Sequence, residues 1–362
     1  MIYLDAGATT LQKPERVRRA MYSAVAAMSS PGRGSYPATR LAEETDFQCR
    51  SLAAELFDVE DPARVVFTGN ATHGLNIAIK TLVKPGSRVV ISGYEHNAVT
   101  RPLHGIPDAA LTVIDTPLFR PEVMLAEFGQ ALDAGADAVI CTHVSNVFGY
   151  RLPVEDIAAL CRKRGIPFVL DASQSAGMLP VSMRELGAAF IAMPGHKGLY
   201  GPQGTGLLLC GREAAPLLEG GTGSISIQQE MPDFLPDRLE AGTHNMPGIA
   251  GLLAGVRFVR QLGPEAICAG ERQLTFQAAE GLRRLPGLQV FALPDLAAQA
   301  GVLSIVPERM DAEALGAALA DRGIAVRAGL HCAPLAHRTA GTLDTGTVRL
   351  SFSHWNTREE VS

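Results

Sequence analysis

The sequence predicts an α/β fold in which a large domain with a mostly parallel sheet precedes a smaller α+β domain. Short apolar runs alternate with helical patterns from about residue 65 to residue 210, which is typical of βαβ units around a buried sheet. After Gly242 the pattern changes to long helical stretches followed by short strands. The length of 362 residues is sufficient for one large and one small domain.

The first two thirds of the chain supply the elements of the large domain, which we predict over residues 14–249. Residues 1–13 are too short to form a unit alone, and we expect them to pack on the small domain. A helical pattern follows Pro14 and ends at a loop over residues 30–34. The chain then predicts helices over residues 42–57, 71–82, 123–132 and 154–164, and strands over residues 65–67, 89–91, 111–114, 138–140, 168–170, 188–192 and 207–210.

The last third of the chain predicts the small domain over residues 250–362. Its helical patterns cover residues 249–262, 271–285 and 312–320. Its strand patterns cover residues 302–306, 325–326 and 347–353. Residues 358–362 have the composition of the start of a helix.

Composition indicates an ordinary soluble globular protein, since 47% of the residues are hydrophobic and 19% are charged. The net charge of −5 gives no basic surface for nucleic acid. No apolar run approaches the roughly 20 residues of a membrane span, and the N-terminus lacks the features of a signal peptide. Six cysteines at wide spacing, without a CxxC pair, argue against a metal site or a disulfide framework. We therefore expect a cytoplasmic protein.

The most informative stretch surrounds Lys197, which lies in a run of glycines between two apolar segments. A single lysine is usually solvated, but the glycines here allow the backbone to approach a ligand closely. Burial disfavours the charged form of a lysine, and a neutral amine can form a Schiff base with a carbonyl. The aldehyde of pyridoxal phosphate (PLP) is the carbonyl most often bound in this way.

Residues at the ends of the predicted strands supply the other groups that PLP needs, because ligands bind at these ends in open α/β sheets. A helix start with hydroxyl groups, at Ala71 and Thr72, could bind an anion or could be a simple N-cap. His96 could lie on an aromatic cofactor or be an ordinary histidine. Asp171 could pair with a pyridinium nitrogen or cap a helix. Their order along the chain, ending at Lys197, favours a PLP site.

With these motifs the chain resembles the class V aminotransferases of PLP fold type I and, among them, the cysteine desulfurases. The likeness covers nearly the whole chain and implies a seven-stranded sheet in the large domain. The motifs that carry it, in order, are Tyr3-Leu4-Asp5, Ala71-Thr72, Glu95-His96-Asn97, Asp171-Ala172-Ser173-Gln174-Ser175, Gly195-His196-Lys197 and Glu240-Ala241-Gly242-Thr243.

The resemblance implies a role for each residue around the cofactor ring. Lys197 would carry the covalent link to PLP, and Asp171 would pair with the ring nitrogen. Gln174 would bind the phenolic oxygen. His96 would stack on the ring and move protons. Asn146 would border the ring oxygen and the substrate.

The resemblance also implies how the phosphate is held. Ala71, Thr72 and His196 would contribute from the same chain, and Thr243 would reach across from a second subunit. A homodimer with shared active sites is therefore expected. Pro194 stands where the family usually has Ser or Thr, which predicts weaker binding of the phosphate.

The C-terminal segment distinguishes among the reactions of this family. Arg349 offers a planar fork for a substrate carboxylate, or it could pair with a local acid. Cys332 lies in a predicted loop near Arg327 and His331, whose positive charge would favour the reactive thiolate, although a half-buried and inert cysteine is the alternative. The pattern Arg-x-x-x-His-Cys resembles the group II desulfurases. It implies that Cys332 is the nucleophile, that Arg349 anchors the substrate and that Arg327 supports the site.

The expected activity is conversion of L-cysteine to L-alanine, with a persulfide formed on Cys332 and passed to a sulfur-acceptor protein. Three alternatives remain open. A selenocysteine lyase would use the same residues. Another class V enzyme, such as a transaminase or lyase, would not require Cys332. A non-catalytic scaffold with this fold would need none of the site residues.

Overall fold

The structure is a computed structural model that describes residues 1–32, 34–295 and 298–362. Arg33, in the predicted loop over residues 30–34, lies outside the described residues. In chain order the strands are β1 (Ile2–Tyr3), β2 (Val65–Thr68), β3 (Arg88–Ser92), β4 (Ala110–Ile114), β5 (Ala138–Thr142), β6 (Phe168–Asp171), β7 (Phe190–Pro194), β8 (Gly206–Cys210), β9 (Leu288–Phe291), β10 (Val302–Pro307), β11 (Ile324–Ala325), β12 (Arg327–Gly329) and β13 (Thr347–Ser351).

The helices connect these strands and cover their faces. They are α1 (Glu15–Ala27), α2 (Pro37–Leu56), α3 (Ala71–Leu82), α4 (Asn97–His104), α5 (Pro121–Asp133), α6 (Val154–Arg164), α7 (Met183–Leu186), α8 (Met246–Leu262), α9 (Pro264–Arg283), α10 (Ala312–Ala320), α11 (Pro334–Thr339) and α12 (Arg358–Val361). Among the described residues, no helix has the length and apolar character required to cross a membrane.

The large sheet has seven strands in the order β2-β8-β7-β6-β5-β3-β4. Strands β4, β3, β5, β6 and β7 run parallel, whereas β8 is antiparallel to both of its neighbours. Strands β5, β6, β7 and β8 are buried along their whole length, as expected for a sheet covered on both faces. The predicted seven-stranded, mostly parallel sheet is confirmed.

Alternation along the strands divides the apolar side chains between two helical layers. In β3, Val89 and Ile91 join the cluster that contains α3 and α4 residues. Val90 points the other way, into the cluster formed with α2, α5, α6 and α8. The sheet is therefore the middle of three layers, and its strand ends are left open for ligands.

The C-terminal part forms a separate antiparallel sheet in the order β12-β13-β10-β9. Its own apolar cluster joins Leu274 of α9 to Leu303 and Val348 of the sheet. The N-terminal segment reaches this region, since β1 pairs with β11 and Asp5 forms an isolated bridge with Ser351. Helix α8 packs against α1 and α2. The predicted division at residue 250 stays a prediction.

Some predicted element bounds are wrong. The helix predicted over residues 271–285 begins at Pro264, because proline fits the first turn of a helix. The single strand predicted over residues 325–326 is two strands, β11 and β12, which belong to different sheets. The strand predicted to end at residue 353 ends at Ser351. Strand β9 was not predicted. The predicted C-terminal helix start is α12, with a capping box between Thr357 and Glu360.

Candidate active site

A cavity of about 220 Å³ opens where the parallel strands of the large sheet end, at the edge where ligands bind in this architecture. It is bordered by the large sheet, the N-terminal segment and the small antiparallel sheet. The predicted site residues that line it are Ala71, Thr72, His96, Asn146, Asp171, Gln174, His196, Lys197, Arg327, Cys332 and Arg349. The fold thus brings together residues that are distant in the sequence.

Lys197 follows β7 in a tight, glycine-rich loop. A Cβ at Gly195 would stand 2.1 Å from the Thr205 hydroxyl, and one at Gly198 would stand 2.3 Å from the Ala176 carbonyl. These glycines let the loop pack closely and hold the half-buried lysine in place. Burial and then the nearby Arg349 cation lower the pKa of Lys197 to about 8. With a pKa of about 8, roughly a tenth of the amine is neutral at pH 7, far more than for an ordinary lysine.

Asp171 ends β6 and is 3% exposed. Its Oδ1 accepts hydrogen bonds from the Ser173 amide at 2.9 Å and from the Ser173 hydroxyl. It therefore closes a turn and does not cap a helix. Oδ2 has no hydrogen-bond partner among the described residues, so it is available to a cation in the cavity.

His96 is the N-cap of α4, and its Nδ1 accepts a hydrogen bond from the Ala98 amide at 3.0 Å. This bond places the proton of the neutral imidazole on Nε2. Burial lowers the pKa of His96, and the Lys197 and Arg349 charges lower it further, against the opposing effect of Asp171. The ring is thus held neutral in a defined tautomer at the cavity wall.

One end of the cavity is suited to an anion. Asn70 caps α3 through the His73 amide at 2.9 Å, which leaves the amides of Ala71 and Thr72 without a partner among the described residues. These two N–H groups lie at the positive end of the helix dipole. His196 lines the same cavity, with its Nδ1 3.0 Å from the Thr9 hydroxyl.

Arg349 lies in β13 and is 2% exposed, yet its guanidinium reaches the cavity. Its Nη2 bonds to Asp5 Oδ1 at 2.6 Å, and its Nη1 donates to the Asn146 carbonyl at 3.0 Å. Arg327 Nε lies 3.3 Å from the other oxygen of Asp5. The pairing of Asp5 with both arginines was not predicted from the sequence, in which Asp5 is 344 positions from Arg349. The Tyr3-Leu4-Asp5 motif was the available signal.

Cys332 is exposed, whereas the other cysteines are buried or half-buried. It lies in a turn in which His331 and Cys332 both have positive φ angles, 50° and 57°. Two hydrogen bonds hold this turn: Asn146 Nδ2 donates to the His331 carbonyl at 2.9 Å, and the Asn97 amide donates to the Cys332 carbonyl at 2.8 Å. The turn therefore places Cys332 at the wall of the cavity that holds Lys197.

Thr243 is the one predicted site residue that does not line this cavity. It is exposed and borders a neighbouring cavity with Gly69, His73 and His244. Within a single chain it is therefore separate from the other site residues.

Comparison with known proteins identifies the family. The sequence profile described as aminotransferase class-V matches residues 2–362. This chain belongs to the class V aminotransferase family. The predicted membership is confirmed, and the roles of individual residues stay predictions.

The relatives of this class V aminotransferase chain include cysteine desulfurases. A probable cysteine desulfurase of Mycolicibacterium paratuberculosis is 32% identical over 100% of this chain, which spans 54% of that protein. A probable cysteine desulfurase of Pyrococcus abyssi is 31% identical over 100% of this chain and 92% of its own length. The apo structure of a cysteine desulfurase from Thermococcus onnurineus superposes with a TM-score of 0.90 at 31% identity, covering 99% of this chain and 92% of that chain.

Proposed function

We propose that this class V aminotransferase is a PLP-dependent cysteine desulfurase that converts L-cysteine to L-alanine and receives the sulfur on Cys332. The observation that carries the proposal is one cavity lined by an exposed thiol at Cys332, an amine of lowered pKa at Lys197 and a buried guanidinium at Arg349. The similarity to probable cysteine desulfurases, which extends over the whole of this chain, supports the same substrate.

The residues present fit PLP. The Lys197 amine matches the aldehyde, and the free Oδ2 of Asp171 matches the ring nitrogen. The unpartnered amides of Ala71 and Thr72 match the phosphate. Gln174 also lines the cavity, and its Nε2 donates one hydrogen bond to the Gly7 carbonyl at 2.9 Å. When bound, PLP supplies an electron sink for the α-carbon of an amino acid.

The substrate carboxylate would bind at Arg349. The guanidinium is already oriented by Asp5 and by the Asn146 carbonyl, and its Nε has no hydrogen-bond partner in the described chain. A planar guanidinium recognises a carboxylate better than a lysine would, because it presents N–H donors in a fixed plane. Arg327, bound to the opposite oxygen of Asp5, adds a second positive charge.

Cys332 would perform the sulfur transfer. Its thiolate attacks the substrate sulfur, so that an S–S bond forms while the substrate C–S bond breaks and its electron pair stays on carbon. A proton then reaches that carbon. His96 is the neutral acid–base group at the cavity wall, and its Nε2 carries the proton that would be moved. The persulfide sulfur on Cys332 leaves to a thiol reductant or a sulfur-acceptor protein.

The test measures alanine and sulfide from L-cysteine, with a thiol reductant, on PLP-loaded protein. Wild type and Cys268→Ala, which alters a half-buried cysteine away from the cavity, should form the two products in equal amounts. Cys332→Ala should form neither above background.

Other outcomes identify the alternatives. Turnover of selenocysteine but not cysteine would indicate a lyase for the selenium compound. Full activity of Cys332→Ala would overturn its assignment as nucleophile and favour another class V reaction. If PLP binds at Lys197 but neither alanine nor sulfide forms, the assignment of the cofactor stands and cysteine is not the substrate.

A further inference from the structure

Helix α9 carries a buried carboxyl group that the proposed reaction does not use. Glu271 is 3% exposed, and its side chain has no hydrogen-bond partner among the described residues. A carboxyl without a partner is costly to bury, so its retention calls for a ligand or a water. Burial raises the pKa of Glu271 well above its ordinary value, which favours the protonated carboxyl.

Glu271 borders a cavity of about 20 Å³ with Thr10, Tyr200 and Ser351. Gly301 makes room for the side chain, since a Cβ there would stand 2.8 Å from Glu271 Oε2 and 3.0 Å from its Cβ. A buried water needs about 15 Å³ and two to four polar partners. The cavity therefore has room for one water, which the unpartnered Glu271 carboxyl can bind. The hydroxyls of Thr10, Tyr200 and Ser351 each already form a hydrogen bond elsewhere.

This small cavity adjoins the site cavity. Gly7, Gln174 and Lys197 line both of them. Lys197 is therefore the titratable residue that the two cavities share. A water in the small cavity lies between Glu271 and the wall that carries the catalytic amine.

We propose that Glu271 exchanges a proton with the Lys197 amine through a single water held in this cavity. The carboxyl O–H gives its proton to the water, the water passes one of its own protons to the lone pair of Nζ, and a carboxylate and an ammonium result. The reverse transfer regenerates the neutral amine. The proposal rests on the proposed function only in requiring that PLP binds at Lys197.

Other titratable groups face Glu271 from the packed elements. Burial, and then the negative charge of Glu271, raises the pKa of Tyr200, whose hydroxyl oxygen accepts a hydrogen bond from the His354 amide at 3.1 Å. Cys268 lies one turn earlier on α9, and burial raises the pKa of its thiol. The transfer from Glu271 through the water to Lys197 is called the relay below. Neither Tyr200 nor Cys268 is its proton donor, because both hold their protons more tightly than a carboxyl does in the same surroundings.

The experiment follows PLP uptake by apoprotein through the absorbance of the bound cofactor, across a pH series. Uptake needs a neutral amine and proton transfer but no cysteine. Glu271→Gln keeps the shape and hydrogen bonding of the side chain without an exchangeable acid. We expect the uptake rate at neutral pH to fall about tenfold or more, with the amount bound and the melting temperature unchanged. Glu265→Gln, on the exposed part of the same helix, should match wild type.

Gly301→Ala gives a second test, because the added methyl displaces the carboxyl while keeping it in the chain. It should slow uptake as well. Normal uptake rates in both variants would overturn the relay and leave Glu271 a structural residue. Absence of PLP uptake by wild type would overturn both the relay and the proposed function, whereas normal uptake without cysteine turnover would overturn only the proposed function.

Discussion

At the residue scale, the protonation of Lys197 and that of Arg349 both depend on burial and on neighbouring charges. The Arg349 cation helps to lower the pKa of Lys197, while Asp171 acts in the opposite direction. Burial lowers the pKa of Arg349 itself, and Asp5 restores part of the stability of its charged form. Both side chains combine a positive group with limited solvent access. The reactivity of these two side chains therefore depends on the surrounding charges as much as on the residues themselves.

The lowered pKa of Lys197 predicts a pH dependence for cofactor binding. Since the pKa is about 8, half of the amine should be neutral at about pH 8, and the neutral fraction should level off above about pH 9. The rate of PLP uptake by apoprotein should follow this curve. Asp171→Asn removes an influence that raises this pKa, so the midpoint should move to lower pH. A midpoint near 10, that of an ordinary lysine, would contradict the assignment.

The fork of Arg349 predicts a specific defect in substrate binding. Arg349→Lys keeps a positive charge but loses the planar pair of N–H groups that donate hydrogen bonds to a carboxylate. KM for L-cysteine should therefore rise by about tenfold or more. The absorbance of bound PLP should remain. Arg327→Lys is the matched control, and its effect should be smaller because Arg327 is 49% exposed. A similar KM for both variants would remove Arg349 as the carboxylate anchor.

At the element scale, a cluster of buried charges fixes the loop over residues 240–245, which includes Thr243. Arg50 of α2 bonds to both oxygens of Glu240, at 2.8 and 2.7 Å, and to Asp46 at 2.7 Å. His244 lies 3.0 Å from Asp46 and 3.1 Å from Glu240. Hydrogen bonds to these carboxylates raise the pKa of His244 to about 9. The loop is thus bound to α2 by ion pairs, in which each group is stabilised by the opposite charge of its partner.

This cluster predicts that stability falls at alkaline pH. The pKa of His244 is higher in the folded state than the ordinary value of 6.5, so its contribution is full below about 6.5 and is lost as pH rises through about 9. His244→Gln should lower the free energy of unfolding at pH 6 by roughly 1–3 kcal/mol. Denaturant titrations at pH 6 and 9 measure this. An equal loss at both values would contradict the charged role of His244.

At the scale of the whole molecule, the exposed surface favours a homodimer. Tyr22 and Val25 of α1 are 82% and 73% exposed, and Phe47 of α2 is 64% exposed, so both helices present large apolar side chains to solvent. Thr243 is exposed and lies outside the site cavity of its own chain. We propose that a second copy covers the apolar surface and receives Thr243 at its phosphate site.

A mixed dimer tests the exchange of Thr243. Lys197→Ala and Thr243→Asp should each bind PLP poorly as homodimers, because one lacks the amine and the other places a negative charge at the phosphate. In the mixed dimer, the Thr243→Asp chain retains Lys197 and receives the unaltered Thr243 of its partner. About half of the sites should therefore bind PLP and turn over cysteine. No recovery in isolated mixed dimers would place Thr243 in its own chain's site.

The sheet, the family and eleven of the residues that line the cavity could be predicted from the sequence alone. Apolar periodicity predicts strands and helices because it reflects local burial, and motifs at strand ends predict a site because parallel strands end at one edge. Only the tertiary structure placed Asp5 between Arg327 and Arg349, and Glu271 at a cavity that Lys197 also lines. These pairs lie far apart in the chain, and no local pattern records which distant side chains meet, since packing of the N-terminal segment and α9 against the site decides it.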